Sequence, residues 1–541
     1  MKLSRLSRRC ALLAALALPF LASCTKRDTA VARGNREGIL HISTGSEPTD
    51  LDPQTVTGLG DAKIIQSLFD PLITFEPVSL NPVPALAERW EISPDGLTYT
   101  FHIRADAKWS NGEPITAQDC VDSWRRILTP ALAADYAYFL YLLRGAEAYH
   151  TGKTTDFSTV GAVARDARTL VATLTHPAPY FLQILLNSPW RPVNVRAIAA
   201  AGDPYRRGSA WTKPGNLVSS GPFVLKEWSP HQRVVVEKSP TYYDRARVRL
   251  NAVHFYPTDS IDAEERAYRS GQLHATWSLP LAKVLPLQRD KNSALRIDHN
   301  LETFFFRLNV RKAPFTDVRV RRALALAVDR DTIANKILPG GRQPAPSFTP
   351  HFLKGYTPPA LKAYDVEAAK KLLAEAGFPG GAGLPPIEIL YNNSEILRLV
   401  AEAIQQMWRR DLGVDVRLVN QEYKVVFANR RAGDYQVLLG SWTADYLDAT
   451  TFLDMWLAGS GNNHTGWTDP AYDAILARAT TVVDAAARAA VLQQAEAHLL
   501  DAAPIIPLYF NTHVYLLHPA VKGWQPTPMD HSDYRYVWLE P

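Results

Sequence analysis

DYQVLLGSWTADYLDATTFLDMW, residues 434–456, reads as a buried strand running straight into an acid set among aromatic rings. The apolar run VLL, bounded by Gly440 and by polar residues, predicts a strand over Val437 to Ser441. Trp442, Ala444, Asp445 and Tyr446 follow, with Phe452 and Trp456 close behind. A carboxylate in such company is either solvated at a surface or desolvated and waiting for a cation. The stretch alone leaves both readings open.

Working outward, the segment before it alternates helix and strand. Thr316 or Asp317 caps a helix carrying Val320, Leu324, Ala327 and Val328 on one face. Asp365 caps a second helix, which Gly377 stops. Ile387 to Tyr391 is a strand, Ser394 to Leu412 a helix closed by Gly413, and Val414 to Leu418 alternates as another strand. A helix over Glu422 to Arg431 then leads back to the opening stretch. This β-α-β-α-β order predicts an α/β fold with a largely parallel sheet covered by helices.

Further upstream the chain is richer in hairpins. Trp90-Ile92 and Leu97-Ile103 flank Ser93-Pro94-Asp95-Gly96, whose Pro and Gly sit where a tight turn wants them. Thr116 reads as a cap for a helix to Leu128. Strand-like runs over Gly221 to Leu225 and Val234 to Glu237 flank Trp228-Ser229-Pro230, and Leu301 to Asn309 alternates like a core strand. At 541 residues the chain exceeds one hydrophobic core, so two or three lobes are expected.

Residues 1–23 stand apart from this body. Arg5, Arg8 and Arg9 precede an apolar run from Ala11 to Leu21, too short to span a bilayer comfortably but suited to a signal peptide. Leu21-Ala22-Ser23-Cys24 matches the lipobox of bacterial lipoproteins, which makes Cys24 the expected lipidation site; an uncleaved anchor or an ordinary signal peptide is the alternative. Residues 24–37 are expected to form a flexible tether to a body that begins near Ile39. The formal charge of +5 falls by the four cations Lys2, Arg5, Arg8 and Arg9 to +1 without the leader, so no nucleic-acid partner is implied. Once Cys10 leaves with the leader and Cys24 carries lipid, Cys120 is alone, which excludes an intramolecular disulfide and a cysteine-based metal site.

Gly-rich phosphate loops, Gly-x-Ser-x-Gly and HExxH are all absent. Carboxylates are plentiful enough to leave an acid pair for hydrolysis open, but none is singled out; no residue set nominates itself for turnover, and no cofactor or metal is expected.

Seven collinear stretches carry a resemblance: SEPTDLDP (46–53), LAERWEISPDGLTYTFHIRADAKWSNGEPITAQD (86–119), SSGPFVLKEW (219–228), YRSGQL (268–273), KAPFTDVRVRRALALAVDRDTIANK (312–336), EAAKKLLAEAGF (367–378) and WTADYLDATTFL (442–453). Over nearly the whole mature chain the sequence resembles the peptide-binding proteins of bacterial ABC importers, solute-binding protein family 5. The resemblance implies a periplasmic-binding-protein type II-like fold: lobe I from 38–69, 194–295 and 507–541, a smaller lobe II inserted over 70–193, and lobe III over 296–506. Hinge crossings near 295 and 506 would let the lobes close. It further implies a monomeric lipoprotein of the cell envelope, held to the membrane by its N-terminal lipid, that hands short peptides to a permease.

In that family the peptide adds itself as a strand in the cleft, so that its backbone is read whatever its side chains. The matching segments here are Thr57-Gly58-Leu59 and Gly440-Ser441-Trp442, and the Gly residues suit close approach of another backbone. The resemblance makes Asp445 the partner of the ligand's α-ammonium, Tyr136 a neighbour of that end, and Trp442 and Tyr423 walls of side-chain pockets. Leu397 and Leu439 stand where enteric oligopeptide binders carry a His and an Arg for the ligand's carboxylate. Lys336 or Arg430 could serve instead, and either could equally be a solvated charge. A specialised cargo such as a murein peptide is the alternative within the same fold.

Overall fold

The computed structural model describes residues 28–541. The leader and Cys24 therefore lie outside the described residues. The body begins earlier than expected: α1 (Ala30–Glu37) is capped by the Thr29 hydroxyl and closed by Gly38 in the left-handed region. This corrects the expectation of a tether through residue 37. The helix is held because Val31 is buried and its N–H donates to the Gly271 carbonyl at 2.9 Å. Those partners lie far along the chain, so local composition could not announce the docking.

β1 (Ile39–Ser43) follows, and α2 (Leu59–Leu68) starts at Gly58. Next come the hairpin β2 (Ala87–Ile92) and β3 (Thr98–Ile103), with Gly96 in the left-handed region at its turn, and α3 (Ala117–Leu128). Thr116 and Asp119 form a reciprocal capping box at the start of α3. β4 (Ala162–Ala164) and β5 (Thr169–Thr173) complete a four-stranded antiparallel sheet in the order β2-β3-β5-β4. β6 (Phe223–Ser229), β7 (Arg233–Lys238) and β8 (Ala252–Tyr256) join β1 in a second sheet, order β1-β8-β7-β6. β1 has come from the far end of the sequence to pair in parallel with β8.

Further along the chain, the elements that build and cover the third sheet include β9 (Leu295–Leu308), α4 (Val318–Leu326), β10 (Gln343–Pro344), α5 (Val366–Glu375), β11 (Ile387–Asn392), α6 (Glu395–Leu412), β12 (Val416–Gln421), α7 (Tyr423–Ala432), β13 (Val437–Thr443), α8 (Pro470–Ala479), α9 (Ala485–Ala502) and β14 (Ile505–Leu516). Asp317, Asp365 and Ser394 cap α4, α5 and α6 with their side chains, and Gly413 closes α6 in the left-handed region. The sheet they build has the order β10-β14-β9-β13-β11-β12. It is mixed, which corrects the largely parallel sheet. Only β11, β12 and β13 run parallel to one another, whereas β9 is antiparallel to both β13 and β14. The β-α-β-α-β pattern reported its own three strands and was silent on the two long ones that flank them.

β9 and β14 form an antiparallel ribbon in which Leu295–His299 pairs with Thr512–Leu516 and Thr303–Arg307 with Ile505–Phe510, with register shifts between His299 and Thr303 and between Phe304 and Phe305. Residues of the ribbon enter three hydrophobic cores: Phe305 and Ile505 one with Trp124 and Trp456, Phe306 and Tyr509 one with Trp408, and Tyr515 one with Leu40 and Phe223. The Asp52 loop is tied to α3 by a buried bidentate pair, Arg126 Nη2 to Asp52 Oδ2 at 2.6 Å and Nη1 to Oδ1 at 3.1 Å. Both side chains are fully shielded, and Gln54 accepts the spare Nη1 proton at 2.7 Å. Removing either partner would strand a buried charge, so the pair fixes geometry more than it adds net stability.

Candidate functional site: a free strand edge between an acid and arginines

β13 is paired along its length with β9, from Leu308↔Val437 to Glu302↔Thr443. On its other side β11 pairs only with Val437 and Leu438. From Leu439 to Thr443, among the described residues, that second edge has no strand partner. Ordinarily such an edge would be blunted or covered. Here it faces a cavity of about 290 Å³ whose lining includes Leu397, Leu439, Gly440, Ser441 and Tyr423.

At the far end of the edge stands Asp445. Its main-chain N–H donates to Thr451 Oγ1 at 2.9 Å and its carbonyl accepts from Asn187 Nδ2 at 2.6 Å, which fixes the backbone. The carboxylate itself accepts no hydrogen bond among the described residues. Loss of solvent pushes its pKa up to about 7. Tyr136 packs edge-to-face on Phe139 and Tyr138, with ring centroids 5.2 and 5.9 Å away. Its phenol is pushed up to about 12 by burial and then by the Asp445 charge, which places the two groups in one electrostatic neighbourhood. Tyr138 responds to the same charge and was not singled out from sequence. Trp442 is held by its Nε1, which donates to the Thr451 carbonyl at 2.8 Å.

Thr57, Gly58 and Leu59 lie exposed at the start of α2, with Gly58 in extended conformation before the first turn. Tyr423 opens α7, is 62% exposed, and lines the cavity beside Phe427, one helical turn on, with ring centroids 6.2 Å apart. Arg430 lines the cavity from the other end of α7, its guanidinium 4.2 Å from the Phe427 ring centroid. Lys336 sits exposed on a π-helical turn over Thr332–Ile337 and is not part of the cavity lining.

Two further arginines enter the lining that sequence reading missed, Arg307 from β9 and Arg342 from the turn before β10. Arg307 is only 2% exposed, and burial followed by the neighbouring Arg430 charge lowers its pKa to about 9. A signal for it did exist: an arginine between Phe306 and Leu308, in a stretch that reads as a core strand, is a buried charge in search of a partner.

The model of the bacterial extracellular solute-binding proteins, family 5 Middle, matches residues 81–464. The chain belongs to this family. It is 36% identical over 507 residues to the periplasmic oligopeptide-binding protein OppA of Escherichia coli (strain K12), covering 92% of each chain. Among solved structures it is similar to the Escherichia coli murein tripeptide binding protein MppA, with a TM-score of 0.82 and 34% identity over 93% of this chain and 98% of that one. The Haemophilus influenzae OppA complex with RPPGFSPFR gives a TM-score of 0.80 and 33% identity, covering 93% and 99%. The type II-like two-lobed fold expected from sequence is that of these neighbours. The relatives are binding proteins rather than enzymes. No helix among the described residues is long and apolar enough to cross a membrane.

Proposed function

We propose that this protein captures short peptides outside the cytoplasm and delivers them to an ABC importer. The observation that carries the reading is the free edge of β13 from Leu439 to Thr443, ending at an unpartnered, desolvated carboxylate. An extended peptide laid along that edge satisfies the exposed backbone groups without regard to its side chains, and its α-ammonium supplies the cation that Asp445 lacks. Thr57, Gly58 and Leu59 would pair with the ligand's other edge, Tyr136 would pack beside its amino end, and Trp442 and Tyr423 would wall its side-chain spaces. The lobe limits inferred from the resemblance put the β9–β14 ribbon at the hinge, where its ladder is already interrupted between His299 and Thr303 and leaves the strands room to bend. In this reading the mature protein is a monomer that starts at a lipidated Cys24.

The likeness to a murein tripeptide binding protein supports a second cargo of the same class, a cell-wall peptide with its own free amine. Native mass spectrometry of the mature chain, taken from expression without refolding, tests both readings. A ladder of short-peptide adducts that disappears in Asp445→Ala supports general peptide capture. One discrete adduct of cell-wall composition selects the second reading. Unchanged adducts in Asp445→Ala overturn the anchoring mechanism.

A further inference from the structure

The docking of α1 limits how far the body can stand from a membrane that holds Cys24. Had the tether run through residue 37, the body would swing on roughly 50 Å of chain. With α1 docked, only the four steps from Cys24 to Asp28 remain, at most about 14 Å. Both ends of the helix are fixed. The Val31 N–H donates to the Gly271 carbonyl at 2.9 Å, and Asn251 Nδ2 donates to the Glu37 carbonyl at 2.8 Å. Val31 and Gly34 face inward, which turns Arg33 and Arg36 to the opposite, solvent side.

Positive charge is gathered at the same place. Residues 24–37 carry four cations, Lys26, Arg27, Arg33 and Arg36, against Asp28 and Glu37, a net of +2. The whole mature chain carries +1, so everything after residue 37 sums to −1. Two more exposed arginines flank the ends of α1. Arg269 stands two residues before Gly271. Arg249 stands two residues before Asn251, its guanidinium 4.6 Å from the Trp538 ring centroid. Of these four described arginines, Arg36 pairs with Asp28 and Arg269 with Glu265 at 3.7 Å. Such exposed pairs are weak and exchange partners readily.

Distance decides whether this charge can act. The field of an anionic leaflet decays over about 8 Å at physiological ionic strength. A body on the longer leash would stand mostly outside it, whereas the α1 face is held at its edge or within it.

We propose that the face formed by Arg33, Arg36, Arg249 and Arg269 rests on the anionic phospholipid headgroups of the membrane that anchors Cys24. The inference rests on the lipidated-Cys24 reading and adds an orientation to it: the lipid holds the protein, and the arginines set which side faces the bilayer. Planar guanidinium forks suit headgroup phosphates. Because α1 leads directly into β1, the sheet β1-β8-β7-β6 is then the part of the body nearest the membrane.

Vesicle sedimentation tests this on the mature chain carrying Cys24→Ser, which keeps the face and loses the lipid. Vesicles of phosphatidylcholine alone are compared with vesicles containing a share of phosphatidylglycerol. At low salt the anionic vesicles are expected to bind at least about tenfold more protein, and physiological salt should remove the preference by screening. Tethered by the lipid, the same contact becomes intramolecular and persists. Arg33→Glu with Arg36→Glu should abolish the preference. Lys371→Glu with Arg409→Glu, the same charge change at exposed sites on α5 and α6, should leave it. No preference at low salt, or equal loss in both double variants, overturns the seated face and leaves the lipid anchor and peptide capture standing. Absence of fatty-acid label on Cys24 in the unaltered protein overturns the anchor and the seated orientation with it.

Discussion

Asn187 donates its side-chain amide to the main-chain carbonyl of Asp445 at 2.6 Å, joining residues 258 apart in sequence. The bond reaches from the helical turn before Trp190 to the acid at the end of the free strand edge. With Tyr180 stacked on Tyr446 at 4.7 Å, it sets the position of the carboxylate from a part of the chain that carries none of the edge itself. Asn187→Ala is expected to weaken peptide binding by several-fold, in line with a neutral hydrogen bond of about 1 kcal/mol, without altering which peptides bind. Parallel calorimetry of both proteins with one tripeptide checks this; a changed rank order of peptides would refute a purely positioning role.

Asp445 gives binding a pH dependence whose sign is fixed. Free of ligand, the carboxyl is held up to about 7 by desolvation, and an ammonium partner would lower it. Affinity is therefore expected to be greatest between about pH 7 and the α-amino range near 8, to fall by up to about tenfold per unit below about pH 7, and to fall again at higher pH as the ligand's ammonium loses its proton. Asp445→Asn should bind more weakly and lose this slope. The same substitution should raise the Tm of the ligand-free protein at pH 8, because a desolvated charge is removed. A Tm that falls would show the carboxylate to be compensated already.

A cluster of histidines holds α1. The His41 N–H donates to His274 Nδ1 at 3.0 Å, and His274 Nε2 meets Asn35 Oδ1 at 3.0 Å. Nδ1 must therefore be unprotonated and Nε2 must carry the hydrogen. Burial lowers His41 to about 4 and His274 to about 3, from 6.5. Between those values and 6.5 the unfolded chain binds protons that the native one refuses. The stabilisation is complete above 6.5 and drains away as pH falls toward 4 for His41 and toward 3 for His274, by on the order of 3 to 5 kcal/mol per histidine at most. Chemical denaturation at pH 7.5 and 5 should show the loss, and His274→Gln should flatten it.

Cys24 is expected to carry the lipid. Cys24→Ser should abolish incorporation of labelled fatty acid and release the protein from membranes, with peptide affinity unchanged. Continued labelling in that variant would exclude the lipobox reading.

Gly440→Ala is expected to leave stability within about 1 kcal/mol, since the near atom is the mobile end of Arg307. Peptide affinity should nevertheless drop, because the new methyl group crowds the guanidinium at the edge. Thermal unfolding beside calorimetry separates the two effects.

The features legible from the residues alone were those whose cause is local. Asp317, Asp365 and Ser394 announce helices because a cap is a hydrogen bond within three residues, and Gly413 ends one because its neighbours cannot adopt φ of +68° at low cost. Asp445 among Trp442 and Tyr446 was visible for the same reason. Tertiary structure alone decided the rest. Periodicity says which face of a strand is apolar, never which strand lies beside it, so the insertion of β9 between β13 and β14 was invisible. The docking of α1 on Gly271 and the approach of Asn187 to Asp445 depend on pairings across hundreds of residues. The opposition of Arg307 and Arg430 across one cavity is of the same kind: whether a charge is solvated or stranded is a property of what folds over it.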